Sequence, residues 1–129
     1  MTGGCFCGFV RYRADGAPFD ETNCHCTICR RTSGAPFVAW FSVARADFAF
    51  IAGEPARFRS SDHGERTFCP RCGTPLTFTS TRSPEAIDVT IGSLDQPDRV
   101  VPRDHTQAAT RLPWVDLGAL PAFPGERPQ

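Results

Sequence analysis

Seven cysteines carry most of the chemistry legible in this 129-residue chain, and they fall into three groups. Cys24, Cys26 and Cys29 crowd into Cys24-His25-Cys26-Thr27-Ile28-Cys29, followed at once by Arg30 and Arg31. Cys5 and Cys7 flank Phe6 near the start, and Cys69 and Cys72 bracket Pro70 and Arg71 past the middle. The central cluster is too dense for ordinary core packing, and one disulfide would consume only two of its thiols. An odd total also argues against a disulfide framework. Thiolates at i, i+2 and i+5 converge on one metal ion when the segment makes a single tight turn, so the spacing points to metal ligation.

Cys69-Pro70-Arg71-Cys72-Gly73 is the most specific short signal. Two thiolates at i and i+3 on a hairpin tip form a zinc knuckle, and Gly73 supplies the backbone freedom that lets N–H groups turn toward sulfur. A redox Cys-x-x-Cys would be followed by a helix in a βαβ setting, which the surrounding residues do not suggest. Structural zinc takes four protein ligands, so this pair needs two more. Spacing allows two partners. Pairing with Cys26 and Cys29 would make a zinc ribbon, but 39 residues lie between Cys29 and Cys69, against the ~15–20 usual for that motif. It would also leave Cys5, Cys7 and Cys24 without a coherent role. Pairing with Cys5 and Cys7 closes one four-cysteine site and leaves Cys24, Cys26 and Cys29 together.

Three protein ligands and an exchangeable fourth position are the arrangement of catalytic zinc. Three thiolates leave the ion with net negative charge, which acidifies a bound water less than neutral imidazoles do. Soft sulfur donors suit a thiol as the fourth ligand, so a small thiol substrate is a better expectation than metal-hydroxide hydrolysis. A fourth thiolate would add further negative charge, which Arg30 and Arg31 stand close enough in sequence to offset. The competing reading is a second structural site closed by His25, His63 or His105. The neighbours of His25, Cys24 and Cys26, restrict where its ring can point, and His63 sits in a turn expected to face solvent. His105 is a candidate ligand, a hydrogen-bond donor to a ligand, or an acid/base group.

These groups need elements to hold them. Residues 8–13 alternate apolar and basic side chains and predict a half-exposed strand, broken by turn chemistry at 15–18. Residues 27–32 predict one helical turn, with Gly34 as its left-handed stop and Pro36 beyond. Strands are expected at 37–41, 48–51, 56–60 and 86–92, the last with the cleanest period-two pattern. Residues 65–68 and 76–79 predict the arms of a hairpin tipped by Cys69 and Cys72. Six of the twelve prolines lie from Pro97 onward. They predict an extended, irregular tail pinned to the body by Trp114, Leu117, Leu120 and Phe123. Short strands broken by Gly and Pro, with little helix, indicate a small, mainly β domain of short antiparallel sheets.

Acidic and basic residues balance at 14 each, and every basic residue is arginine. The balance gives no footprint for nucleic acid or a membrane surface. The absence of lysine excludes Schiff-base chemistry through that side chain. No apolar run approaches the ~20 residues of a membrane span. The opening residues lack the basic and apolar regions of a signal peptide, so a cytoplasmic location is expected.

Three ordered motifs also form a set: Gly4-Cys5-Phe6-Cys7-Gly8-x-Val10-Arg11-Tyr12, then Cys24-His25-Cys26-x-x-Cys29-Arg30-x-x-Ser33-Gly34-Ala35-Pro36, then Phe68-Cys69-x-x-Cys72-Gly73-Thr74-Pro75-Leu76. With Ile91-Gly92-Ser93-Leu94-Asp95, His105, Trp114 and Leu120-Pro121-x-Phe123, they closely resemble the glutathione-dependent formaldehyde-activating enzyme and centromere protein V family. The likeness covers about residues 3–123 of what is expected to be a single domain over 1–129. It implies a β-rich, Mss4-like fold with two zinc ions. By the family pattern Cys5, Cys7, Cys69 and Cys72 match a structural site, and Cys24, Cys26 and Cys29 a catalytic one. The implied activity is a carbon–sulfur lyase reaction condensing glutathione with formaldehyde, the metal holding the thiolate beside the aldehyde. The alternative is a non-catalytic zinc module that binds a protein partner, since fold alone does not decide function.

Overall fold

A computed structural model describes residues 1–128. Ten strands appear: β1 (Thr2–Gly4), β2 (Arg11–Ala14), β3 (Phe19–Cys24), β4 (Val38–Ala44), β5 (Phe48–Ala52), β6 (Ala56–Arg59), β7 (Gly64–Phe68), β8 (Pro75–Ser80), β9 (Ala86–Thr90) and β10 (Asp104–Thr106). A helix, α1 (Thr27–Ser33), interrupts them between β3 and β4. The strands form a three-stranded sheet ordered β1-β2-β5 and a seven-stranded sheet ordered β10-β3-β4-β9-β8-β7-β6. Every named pairing is antiparallel except β10 with β3. The protein is therefore mainly β, as its short apolar runs predict. No helix among the described residues is long and apolar enough to cross a membrane.

The core lies where β2 faces the large sheet. Val10, Tyr12 and Ala14 pack with Phe41 and Val43 of β4, Leu76 of β8, and Ile87 and Val89 of β9. Phe41 and Val43 alternate with Trp40 and Ser42, and all four are buried. β4 reads as a continuous apolar run because it is covered on both faces. Each large apolar side chain so buried contributes roughly 1.5–3 kcal/mol. The Tyr12 hydroxyl is satisfied inside the core by Ser93 Oγ at 2.8 Å. Its ring lies against Gly3, where a Cβ would come within 2.5 Å of Tyr12 Cζ.

Local chemistry moved several boundaries. The strand expected at 8–13 starts only at Arg11, because Gly8 adopts φ +82° and Cys5 N donates to Val10 O, closing a loop around the first cysteine pair. The strand expected at 86–92 stops at Thr90, and Ile91–Ser93 coils into a 3-10 turn; Thr90 Oγ1 donates to Pro75 O there. β1, β3 and β10 carry no strong strand signal of their own. They form because a neighbour offers a complete row of hydrogen bonds.

The tail is where expectation and structure differ most. Trp114 is 71% exposed and Leu120 39% exposed, so neither anchors it. Val100 and Val115 are the buried apolar residues of this stretch among the described residues. The stronger tie is polar: β10 runs parallel to β3, pairing Thr106 with Cys24, and Arg127 grips Asp104 with two bonds of 2.6 and 2.9 Å. Pro-rich chain cannot coil into a long helix, but three residues suffice to fill an edge register. Burial alone would raise the Asp104 carboxyl, yet the Arg127 hydrogen bonds outweigh it and hold it below the usual carboxylate range. A depressed folded pKa contributes stability above the unfolded value of about 3.9 and loses it as the pH falls through the folded value. Acid unfolding of Asp104→Asn should lack this component, and its unfolding midpoints should converge on wild type once the pH has fallen below the folded Asp104 value.

Candidate functional site

The first and last cysteine pairs meet. Cys7 Sγ lies 3.6 Å from Cys5 Sγ and 3.7 Å from Cys69 Sγ, and the sulfurs of Cys5, Cys7, Cys69 and Cys72 all lie within 4.8 Å of one another. A tetrahedron of ~2.3 Å metal–sulfur bonds has edges of about 3.8 Å, so the group fits a tetrahedral ion. Both loops turn N–H groups onto sulfur: Val10 N onto Cys5 at 3.3 Å, and Arg71 N and Cys72 N onto Cys69 at 3.3 and 3.4 Å. Gly73, at φ +84°, makes the hairpin tip possible. Phe6 N donates to Thr74 Oγ1 across the two loops, and Arg71 stacks 3.8 Å over the Phe9 ring. Cys5 and Cys69 are buried within the core cluster. Hydrogen bonds from the Thr74 hydroxyl and backbone hold the Cys72 thiol down to about 5.

Cys24, Cys26 and Cys29 form the second group, again with all sulfurs within 4.8 Å. Helix α1 makes it: Cys26 is the N-cap, its sulfur accepting Cys29 N–H at 3.1 Å, and Gly34 ends the helix at φ +70° with its N–H on Arg30 O. Cys29 thereby swings back to within 3.5 Å of Cys24 at the end of β3. The sulfurs titrate as a set. Cys26 is held down to about 2, because it accepts from Cys24 and Cys29 and from the Cys29 N–H, with Arg66 adding positive charge. Cys24 is pushed up by its contacts with the Cys26 and Cys29 sulfurs and by burial. A cluster holding thiolate in this way is suited to a soft ion.

No histidine or carboxylate joins that group among the described residues. His25 is completely buried and His105 nearly so, but their rings face each other instead of the sulfurs. His105 Nε2 lies 2.9 Å from Leu117 O, and its Nδ1 lies 2.9 Å from His25 Nε2. A carbonyl can only accept, so Nε2 of His105 carries the hydrogen. In neutral rings His105 Nδ1 then accepts from His25 Nε2–H. His25 Nδ1 is left with no partner, and burial, with His105 and Arg111 adding, holds this ring below its usual pKa. The pair locks the tail against the cysteine segment, together with His25 N to Thr106 O and Thr110 Oγ1 to His25 O. His105→Ala should unpair His25 Nε2 and Leu117 O and lower stability by about 2–4 kcal/mol. It should also loosen the three-cysteine group while sparing the four-cysteine group, which metal release on titration with a chelator would measure. His63 lies in the turn before β7, apart from both groups, and is only half-buried.

The cation at the cluster is Arg66, not Arg30 or Arg31. Arg66 Nη2 reaches Cys29 Sγ at 3.5 Å, its Nε donates to Ser60 Oγ at 3.0 Å, and its guanidinium lies 5.8 Å from the Trp40 ring centroid and 5.0 Å from that of Phe78. Arg30 is half-buried and Arg31 exposed, and neither makes a bond to a cysteine sulfur among the described residues. Sequence separation hid Arg66, which lies 37 residues from Cys29. Only the pairing of β7 in the large sheet brings it over. A cleft of about 310 Å³ opens beside it, between the end of α1 and the Cys69–Cys72 hairpin; Val38, Trp40, Phe58, Phe68 and Pro75 line it, with Arg66 its one charged side chain.

A small, mainly β protein with a four-sulfur group, a three-sulfur group and an adjoining cleft defines a class of compact domains able to hold two metal ions. Residues 1–109 match the family described as glutathione-dependent formaldehyde-activating enzyme, and the chain belongs to it. A Halomonas elongata protein, provisionally named a glutathione-dependent formaldehyde-activating enzyme, is 29% identical over 130 residues, 91% of this chain and 80% of its own. An uncharacterized lyase of Schizosaccharomyces pombe is 33% identical over 79 residues, 61% of this chain and 57% of its own. A crystal structure of a Rhodobacter sphaeroides protein superposes with a TM-score of 0.66 at 25% identity, covering 95% of this chain and all of the other.

Proposed function

We propose that the protein is a carbon–sulfur lyase that joins a small thiol, glutathione or a relative, to an aldehyde at Cys24, Cys26 and Cys29. One observation carries the reading. Three sulfurs converge with no fourth protein ligand beside them among the described residues, next to a fixed guanidinium that also lines a cleft. Family membership and the printed names of the relatives support the lyase class. Cys5, Cys7, Cys69 and Cys72, buried into the core on one side, would hold the structural ion, and the other three the catalytic one. Sulfur-only donor sets favour zinc in both.

Zinc bound there would supply a Lewis acid and a place for a substrate thiolate. The protein's residues do the rest. Arg66 supplies positive charge beside Cys29, offsetting the excess of thiolate and stabilising charge that appears on the aldehyde oxygen. Trp40 and Phe78 flank the guanidinium and Ser60 fixes its orientation, so it needs no reorganisation during the reaction. The thiolate sulfur adds to the carbonyl carbon, forming the C–S bond. The C=O π pair moves onto oxygen, which takes up the proton that the thiol released. Nothing is oxidised or reduced.

Exchange NMR on a thiol–formaldehyde mixture tests this directly. The metal-loaded protein should accelerate exchange between free formaldehyde and its glutathione adduct; unchanged exchange at full zinc occupancy would remove the activity. Arg66→Gln should lower kcat about 10–100-fold while both metal equivalents remain, the range for losing a group that supports a metal ligand. Arg66→Lys, restoring charge without the planar fork, should recover part of the loss.

A further inference from the structure

From the lining of the cleft beside Arg66 we infer that the aldehyde partner is not formaldehyde alone but one carrying a carbon chain or ring, seated on Trp40, Phe58 and Phe68. This rests on the lyase reading and names the substrate class for the same site. Formaldehyde has a single carbon and needs no cleft. The space here is about 310 Å³ and its walls are mainly apolar, with Val38 and Pro75 completing the side walls. Ligand sites of this kind combine aromatic walls with a few placed polar groups.

Besides the hydroxyls of Thr32, Ser33, Thr67 and Thr77, the lining carries one charged group. Arg66 is the only charged side chain of the lining, and its Nη2 already touches Cys29 Sγ. An aldehyde oxygen next to that guanidinium would place its carbonyl carbon near the three sulfurs and its chain down the apolar wall. Glutathione does not match this wall: it carries two carboxylates and an ammonium, and the lining offers a single cation and no anion. Its charged ends would remain in solvent, with only the thiol entering. Phe58 is the exposed part of the wall, at 57%, an apolar ring left uncovered at the cleft. Trp40, by contrast, is 7% exposed and forms part of the permanent floor.

The two tryptophans make the cleft testable without relying on turnover. Trp114 is exposed on the tail, so Trp114→Phe leaves Trp40 as the sole tryptophan reporter. The metal-loaded Trp114→Phe protein would be titrated with the unreactive probes ethanol, 1-butanol and 1-hexanol while Trp40 emission is followed. Each buried methylene should tighten binding up to about fourfold (~0.8 kcal/mol), so hexanol should bind at least tenfold tighter than ethanol. Adding Phe58→Ser, a surface change that the fold tolerates, should weaken hexanol at least threefold and ethanol little. In parallel, kcat/KM with one thiol would be compared for acetaldehyde, butanal and hexanal, each against its uncatalysed rate, and should rise with chain length. Silent Trp40 emission, or affinities independent of chain length, would overturn the inference even if formaldehyde is turned over. Chain-length-dependent binding with no turnover of any aldehyde would sustain the cleft and remove the lyase reading.

Discussion

Cys69→Ser is expected to leave the chain without a cooperative fold. Cys69 is 1% exposed, accepts N–H bonds from Arg71 and Cys72, and lies 3.7 Å from Cys7 Sγ, so it ties the hairpin tip to the N-terminal loop. It also belongs to the core cluster that contains Val10, Tyr12 and Leu76. Structural zinc in small domains contributes apparent binding free energies of about 10–16 kcal/mol. Whole domains are stable by only about 5–15 kcal/mol. Replacing one soft donor by a hydroxyl removes a large share of the first figure, which is enough to consume the second. Circular dichroism should lose the sheet signal, and thermal melting should lose its transition. A folded Cys69→Ser protein with one metal equivalent would show that the four-sulfur group is not what holds the domain together. Chelation of wild type should follow the same order: the three-sulfur site should empty first with the fold retained, and the fold should be lost only when the second equivalent leaves.

Cys26→Ser should have the opposite profile: a folded protein, one zinc per chain instead of two, and activity down by at least about 10²–10³-fold. Serine is chosen because Cys26 has two roles that it separates. As the N-cap of α1 it accepts the Cys29 N–H, and a serine hydroxyl does that well. As a soft donor among three sulfurs it has no oxygen substitute. Helix α1 should survive and the ion should not. If the variant collapses as Cys69→Ser does, the three-sulfur group is structural too and the enzyme reading fails. If it keeps two metal ions and full activity, Cys26 is not a ligand.

Much of this site is legible one residue after another. Cys69-x-x-Cys72-Gly73 specifies its own turn, and Cys26 with Gly34 specifies both ends of one short helix, because caps and left-handed stops are local matters. The apolar run at 37–41 and the period-two alternation at 86–92 announce the core strands β4 and β9 for the same reason. Local signals failed where a residue's conformation or role depends on a distant partner. β3 and β10 are polar and weak in propensity, and each exists because the other, or β4, offers its hydrogen bonds. Trp114 looked like an anchor by type, yet the tail is held by the pairing of β10 with β3, by His105 on His25 and by Arg127 on Asp20, whose partners lie far along the chain.

By itself, then, the order of residues determined that there are seven thiols in tight turns, a β-rich body with little helix, and a family pattern over nearly its whole length. Tertiary structure decided what stands around the sulfurs. It brought Cys5 and Cys7 to Cys69 and Cys72, faced His25 and His105 toward each other instead of toward a metal, and laid Arg66 in place of Arg30 and Arg31 over Cys29. The physical reason is the pairing of β7 with β8 and of β3 with β10. Hydrogen-bond register between strands sets which side chains meet across a sheet, and no local spacing encodes it.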